Sequence, residues 1–202
     1  MSKNIFDILR SVDFEDYGSL RIPSIEKLDG NLHLYLDVVA DEHPDLPRNV
    51  RIICHDLKAS WVSLDEYYFA FEISKDHALL WHYTKPHIST SFYGSVEKPF
   101  AVVGELYERH KELAEDWIPF HRYLNPEMRL IDLIAGGFGM LAEGAETLIL
   151  AYEEVMKSYG FTTAHIEPKG AGHLKDESKS ELSVLVIGKS YVIASAFEAR
   201  VI

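Results

Sequence analysis

Three short runs, Tyr67-Tyr-Phe-Ala-Phe-Glu-Ile73, Ala78-Leu-Leu-Trp-His-Tyr83 and His87-Ile-Ser-Thr-Ser-Phe-Tyr93, follow one another with only brief connections. Each alternates apolar with polar residues, the period of a strand with one buried face. Together they predict an antiparallel meander. With Lys85 and Pro86 at the centre of the second connection, Tyr83 falls opposite Ile88, Trp81 opposite Thr90 and Leu79 opposite Phe92. With residues 74–78 as the first connection, Phe71 falls opposite Trp81 and Phe69 opposite Tyr83. A slip of one residue would invert a strand. The register therefore assigns Phe69, Phe71, Trp81, Tyr83 and Phe92 to the core, and Tyr68, Glu72, His82, Thr84, His87, Ser89 and Ser91 to the opposite face.

Upstream, Asp29-Gly30 supplies the positive φ of a tight hairpin turn. Beyond it Leu32, Leu34, Leu36 and Val38 alternate with His33, Tyr35 and Asp37. Residues 41–48, with Pro44 and Pro47, read as a loop, and residues 50–57 as a further strand in which Val50, Ile52 and Cys54 share parity. If these strands continue the meander, His33, Tyr35, Asp37 and His55 join the polar face. At the N-terminus, Ile5, Phe6, Ile8, Leu9 and Val12 have helical spacing.

Downstream the period changes. Phe100, Val103, Leu106, Tyr107, His110, Leu113, Ala114 and Trp117 form an apolar stripe over residues 97–117, with Pro99 in the first turn of the helix. A second helical region begins near Glu127, breaks at Gly136-Gly-Phe-Gly139, and resumes along Leu141, Ala145, Leu148, Ile149, Tyr152, Val155, Met156 and Tyr159, with Gly160 placed to end it. Strands are expected over residues 161–166, 182–187 and 191–199, with Gly188-Lys189-Ser190 as a hairpin turn and residues 168–180 as a polar loop. The fold class is α+β: a single globular domain over residues 1–202, its antiparallel meander sheet covered on the apolar face by two or three helices. The C-terminal strands either join that sheet or form a second small one.

The 202 residues are 47% hydrophobic and 26% charged, a globular and not a disordered composition. The most membrane-like run, residues 133–142, is about half the length that spans a bilayer and holds three glycines. No secretory leader is expected, because Asp7 interrupts the first apolar stretch. Cys54 is the only cysteine, which excludes an intramolecular disulfide and a multi-thiolate zinc site and suits a reducing cytoplasm. The formal charge of -12, from 32 acidic and 20 basic residues, argues against nucleic acid and against anionic membranes as partners. A protein or small-molecule partner, or a second copy of the chain, is compatible with it; composition and charge do not identify a cofactor.

Several motifs resemble catalytic vocabulary. Gly137-Phe-Gly139-Met-Leu-Ala142 has the G-x-G-x-x-A spacing of a dinucleotide turn, but Glu143 and Glu146 would sit where a pyrophosphate requires positive potential, and only one βαβ unit could be built. Gly188-Lys189-Ser190 lacks the earlier glycine of a P-loop, since Ser183 stands there, and precedes a strand. In Cys54-His55-Asp56, adjacent side chains on a strand point to opposite faces, so Cys54 reads as a buried thiol. No H-E-x-x-H and no H-x-H occurs. His110 lies within an apolar stripe and reads as a hydrogen-bonded core histidine.

The remaining candidate is the polar aromatic face. In the meander register His82 and His87 lie on adjacent strands, Cα atoms about 7–8 Å apart. Tyr68, Glu72, His82 and His87 are accordingly the expected ligand-binding residues, in an accessory or adaptor protein that binds a protein or small ligand there or on the loop over residues 168–180. The alternative is a metal-dependent enzyme built on His55, Glu72, His82 and His87.

Overall fold

The computed structural model describes residues 5–40, 46–166 and 181–202. They divide into two compact units, one drawn from Met1–His77 and Ser178–Ile202, the other from Ala78–Glu177. The fold is α+β, and among the described residues every strand pairing is antiparallel. The expected loop at residues 168–180 lies outside the described residues.

In the first unit, helices α1 (Ile5–Ser11) and α2 (Phe14–Tyr17) precede strands β1 (Gly18–Leu28), β2 (Asn31–Ala40) and β3 (Asn49–His55). The β1–β2 turn is made by Asp29 and Gly30, both at positive φ, as the Asp-Gly pair predicts. Short strands β4 (Ala59–Trp61), β5 (Tyr67–Tyr68) and β6 (Phe71–Ser74) follow, and the chain returns later as β10 (Ser183–Ile187), β11 (Ser190–Ala194) and β12 (Ala196–Val201). β3, β2 and β1 form a meander that β12 and β5 extend to five strands in the order β12-β3-β2-β1-β5. A four-stranded sheet has the order β4-β11-β10-β6. The C-terminal strands thus take both expected courses.

Alternation decides the core of this unit. Leu32, Leu34 and Leu36 pair with Cys54, Ile52 and Val50. All six are buried in one cluster with Leu185, Ile187 and Val192 of the four-stranded sheet and with Phe6 and Leu9 of α1. The parity read from the sequence is the one observed.

The second unit begins with a 3-10 turn (Ala78–Leu80) and α3 (Trp81–Thr84), then strand β7 (His87–Tyr93), helices α4 (Pro99–Ala114) and α5 (Leu130–Gly136), strand β8 (Phe138–Ala145), helix α6 (Glu146–Ser158) and strand β9 (Thr162–Ile166). Its sheet has the order β8-β7-β9. Ile88 and Phe92 of β7 pack with Val102 and Leu106 of α4, Leu133 and Ile134 of α5, and Leu148, Ile149, Tyr152 and Met156 of α6. Three helices therefore share one core with this sheet.

Two expectations are corrected. The runs at 67–73, 78–83 and 87–93 do not pair with one another. β5 pairs with β1, β6 with β10, and β7 with β8 and β9. The middle run is helical, its Lys85 amide donating to the Trp81 carbonyl and its Thr84 hydroxyl to the Leu80 carbonyl. Six residues with burial at Ala78, Leu80 and Trp81 satisfy a helical turn as well as a strand, an ambiguity inherent in short apolar runs. The boundary between the units falls inside the stretch that suggested continuity. Likewise the second helical region contains strand β8. Gly137, at φ 81, caps α5, and the G-x-G-x-x-A residues then run along β8. A helix precedes the glycines and a strand follows them, the reverse of a dinucleotide-binding turn.

One buried carboxylate ties the second unit's sheet to its helices. Glu153 of α6, with only 3% of its side chain exposed, accepts from the Thr90 hydroxyl at 2.8 Å and Lys157 Nζ at 3.0 Å, and lies 3.3 Å from His165 Nδ1. Burial alone would raise its pKa; the bonds from Lys157 and Thr90 outweigh that and hold it below the ordinary carboxylate value. Its contribution to stability is fully present above the unfolded value of about 4.3 and is lost as pH falls through the lower folded value. Glu153→Ala is expected to cost about 2–3 kcal/mol in urea unfolding at pH 7, and less at about pH 3, below the value at which the unfolded carboxylate takes up its proton. An equal cost at both pH values would show that the carboxylate charge is not what stabilises this junction.

Candidate functional site

Of the four residues expected to bind a ligand, Tyr68 and Glu72 belong to the first unit and His82 and His87 to the second. They do not share one sheet face. Glu72 is exposed on β6, an edge strand. His82 is exposed on α3, and its ring lies edge-on to that of His87, with centroids 4.9 Å apart. His87 keeps the expected parity on β7, since Ile88, Thr90 and Phe92 are the buried residues of that strand.

His87 Nε2 is buried and has no hydrogen-bond partner among the described residues. Burial pushes its imidazole below the ordinary histidine value, and His82 adds to this; Glu143 and a bond to the His82 backbone oppose it. A neutral ring follows at neutral pH. Among the described residues no group of three or more His, Cys, Asp or Glu side chains is placed to hold a metal ion. The two rings alone do not complete the metal centre that the alternative reading requires.

On the five-stranded sheet, His33, Tyr35, Asp37 and His55 do face away from the Leu32–Cys54 side. Local pairs engage three of them: Tyr35 donates to Glu26 at 3.0 Å, Arg21 is paired with Asp37, and His55 Nε2 lies 3.9 Å from Glu198; His33 is buried, and its Nδ1 has no hydrogen-bond partner among the described residues. Cys54 is fully buried and desolvation pushes its thiol up to about 12, which removes it as a nucleophile near neutral pH. Ser190 follows the hairpin turn into β11 as expected, with no helix after it.

Tyr68 is where the structure departs most usefully from the sequence pattern. The alternation places Phe69 inside and Tyr68 outside, but Tyr68 is 4% exposed and Phe69 52%. The reason is polar. Tyr68 donates its hydroxyl hydrogen to the Ser63 carbonyl at 2.9 Å and lies 3.0 Å from Ser190 Oγ, which accepts the Ser63 amide at 3.0 Å. A buried phenol costs little when its hydroxyl is paired on both sides. Gly188 provides the room. A Cβ at that position would lie 2.1 Å from the Tyr68 ring, and its amide donates to the Ala70 carbonyl at 3.1 Å.

With Tyr68 turned inward, its neighbours Tyr67 and Phe69 are held outward, 63% and 52% exposed. They line a cleft of about 270 Å³ together with Glu15 of α2, Glu66, Gly188 and Lys189. Glu66 accepts from the Ser63 hydroxyl at 2.9 Å, so the same loop that receives Tyr68 also orients a carboxylate. Neither Glu15 nor Glu66 is in an ion pair among the described residues. The sequence pattern puts Tyr68 on an exposed face and the structure buries it; Glu15, Phe69 and Lys189 are not among the expected site residues, because they come from separate segments that only the fold brings together.

Comparison with protein-family models, with curated proteins and with solved structures finds no match.

Proposed function

We propose that this chain is a cytoplasmic accessory or adaptor protein that acts by binding, and that the cleft beside Tyr68 is its binding seat. The observation that carries this reading is the inversion at Tyr67-Tyr68-Phe69: a bonded, buried tyrosine anchors a segment that presents two exposed aromatic rings at a preformed concavity. Aromatic surface held at a concave site is a common mark of recognition. The hydroxyl of Ser190, next to the cleft, is buried and tied between Tyr68 and Ser63, with no histidine bonded to it among the described residues, so the arrangement favours binding over acyl transfer. The reducing compartment accords with the free, buried Cys54, and no helix among the described residues is long and apolar enough to cross a membrane.

The test is a screen of short peptides and small organic fragments against the labelled protein, read by amide chemical shifts. Ligands that perturb residues 66–70 together with Gly188 and Lys189 support the reading. Ligands that perturb only the His82–His87 region, or binding that requires an added divalent metal, would replace it with the alternative.

A further inference from the structure

We infer that the group seated in the cleft is the guanidinium of an arginine side chain, presented by a peptide segment of a partner protein. The inference rests on the binding reading above and specifies its occupant. Three features of the lining converge on it. Tyr67 and Phe69 are exposed aromatic side chains on the lining, and the face of such a ring holds a planar cation through its quadrupole. Glu15 and Glu66 place carboxylates on the same lining with no cation paired to either among the described residues. At about 270 Å³ the cleft falls below the roughly 300–1,000 Å³ of small-molecule sites. That space suits one long side chain better than an enclosed cofactor.

The balance of charge points the same way. The chain carries a formal charge of -12, which steers a basic partner towards it. Lys189 also lies on the lining, opposing a cation and able to attract a carboxylate. On the lining two carboxylates stand against one ammonium; Arg21, which pairs with Tyr67 across β1 and β5, is itself paired with Asp37 and Asp65, so the surroundings stay anionic, and the aromatic rings discriminate further. Arginine is preferred over lysine because its weakly hydrated, planar head stacks on an aromatic ring while its N–H groups still reach a carboxylate.

The experiment is an amide-shift titration of the full chain with three capped tripeptides, Gly-Arg-Gly, Gly-citrulline-Gly and Gly-Glu-Gly. Citrulline keeps the shape of arginine without its charge. The arginine peptide is expected to shift residues 66–70, Gly188 and Lys189, and to bind about tenfold more tightly than the citrulline peptide. Added salt should weaken the arginine peptide selectively. Tyr67→Ala and Phe69→Ala, both at exposed positions and therefore expected to fold, should each weaken it about fivefold. Equal binding of the arginine and citrulline peptides at the cleft, or tighter binding of the glutamate peptide there, overturns the inference and leaves the binding seat standing. Failure of all three peptides to shift the cleft amides counts against both.

Discussion

Replacing Gly188 by alanine is expected to destabilise the first unit by about 3 kcal/mol and to abolish binding at the cleft. Two costs add. At φ +56 the backbone is left-handed, which an alanine adopts at about 1 kcal/mol. The new Cβ would also sit 2.1 Å from Tyr68 Cδ1, so the ring must leave its seat and its hydroxyl must give up Ser63 and Ser190. Gly30→Ala separates the costs: its φ is +79, and nothing lies within 4 Å of the added methyl, so about 1 kcal/mol is expected there. In a Tyr68→Ala background the steric part vanishes, and Gly188→Ala should then cost no more than Gly30→Ala. Urea unfolding of the four variants measures this. A Gly188→Ala cost no greater than that of Gly30→Ala in the native background would show that Tyr68 does not depend on Gly188 for its place.

His110→Ala carries the other large effect, about 4 kcal/mol in the second unit. The imidazole is 1% exposed. Nε2 lies 2.6 Å from the Ile118 carbonyl, which can only accept, so Nε2 bears the hydrogen. Nδ1 then accepts from the Tyr152 hydroxyl at 2.7 Å. Truncation opens a cavity and leaves two buried polar groups without partners, whereas Tyr152→Phe removes one hydrogen bond and opens none, for about 1–2 kcal/mol. Because the two side chains share that bond, Tyr152→Phe should add little once His110 is gone. Additive costs in the double variant would contradict the pairing.

Burial also lowers the His110 pKa, against the bond to Ile118. Its stabilising contribution is fully present above the unfolded histidine value of about 6.5 and is lost as pH falls through the folded value. His87 has the same sign. The second unit should therefore weaken first below about pH 6.5 and again below about 4.3, where Glu153 enters.

The contrast between His110 and Tyr68 shows what is legible in the sequence. His110 falls on an unbroken helical stripe, so its burial and the need for hydrogen-bond partners follow from periodicity alone. Leu32, Leu34 and Leu36 opposite Cys54, Ile52 and Val50 are equally readable, because long strands with one apolar face admit a single register. Short elements lack that redundancy. Residues 78–83 fit a helical turn and a strand alike, and Phe138–Ala145 continue the apolar spacing of α6 while forming a strand. Tyr68 and Phe69 exchange places through hydrogen bonds to Ser63 and Ser190, the latter 122 residues away in sequence, and no local pattern encodes such a bond. The cleft exists because that exchange occurs.

The most direct test of this account is a crystal structure of the protein with the capped Gly-Arg-Gly peptide at saturating concentration. The guanidinium is expected against the faces of Tyr67 and Phe69, within hydrogen-bonding reach of Glu15 or Glu66, with Tyr68 still seated on Gly188. A peptide bound elsewhere, on the His33 face or beside His82 and His87, or a cleft left empty under those conditions, would contradict it.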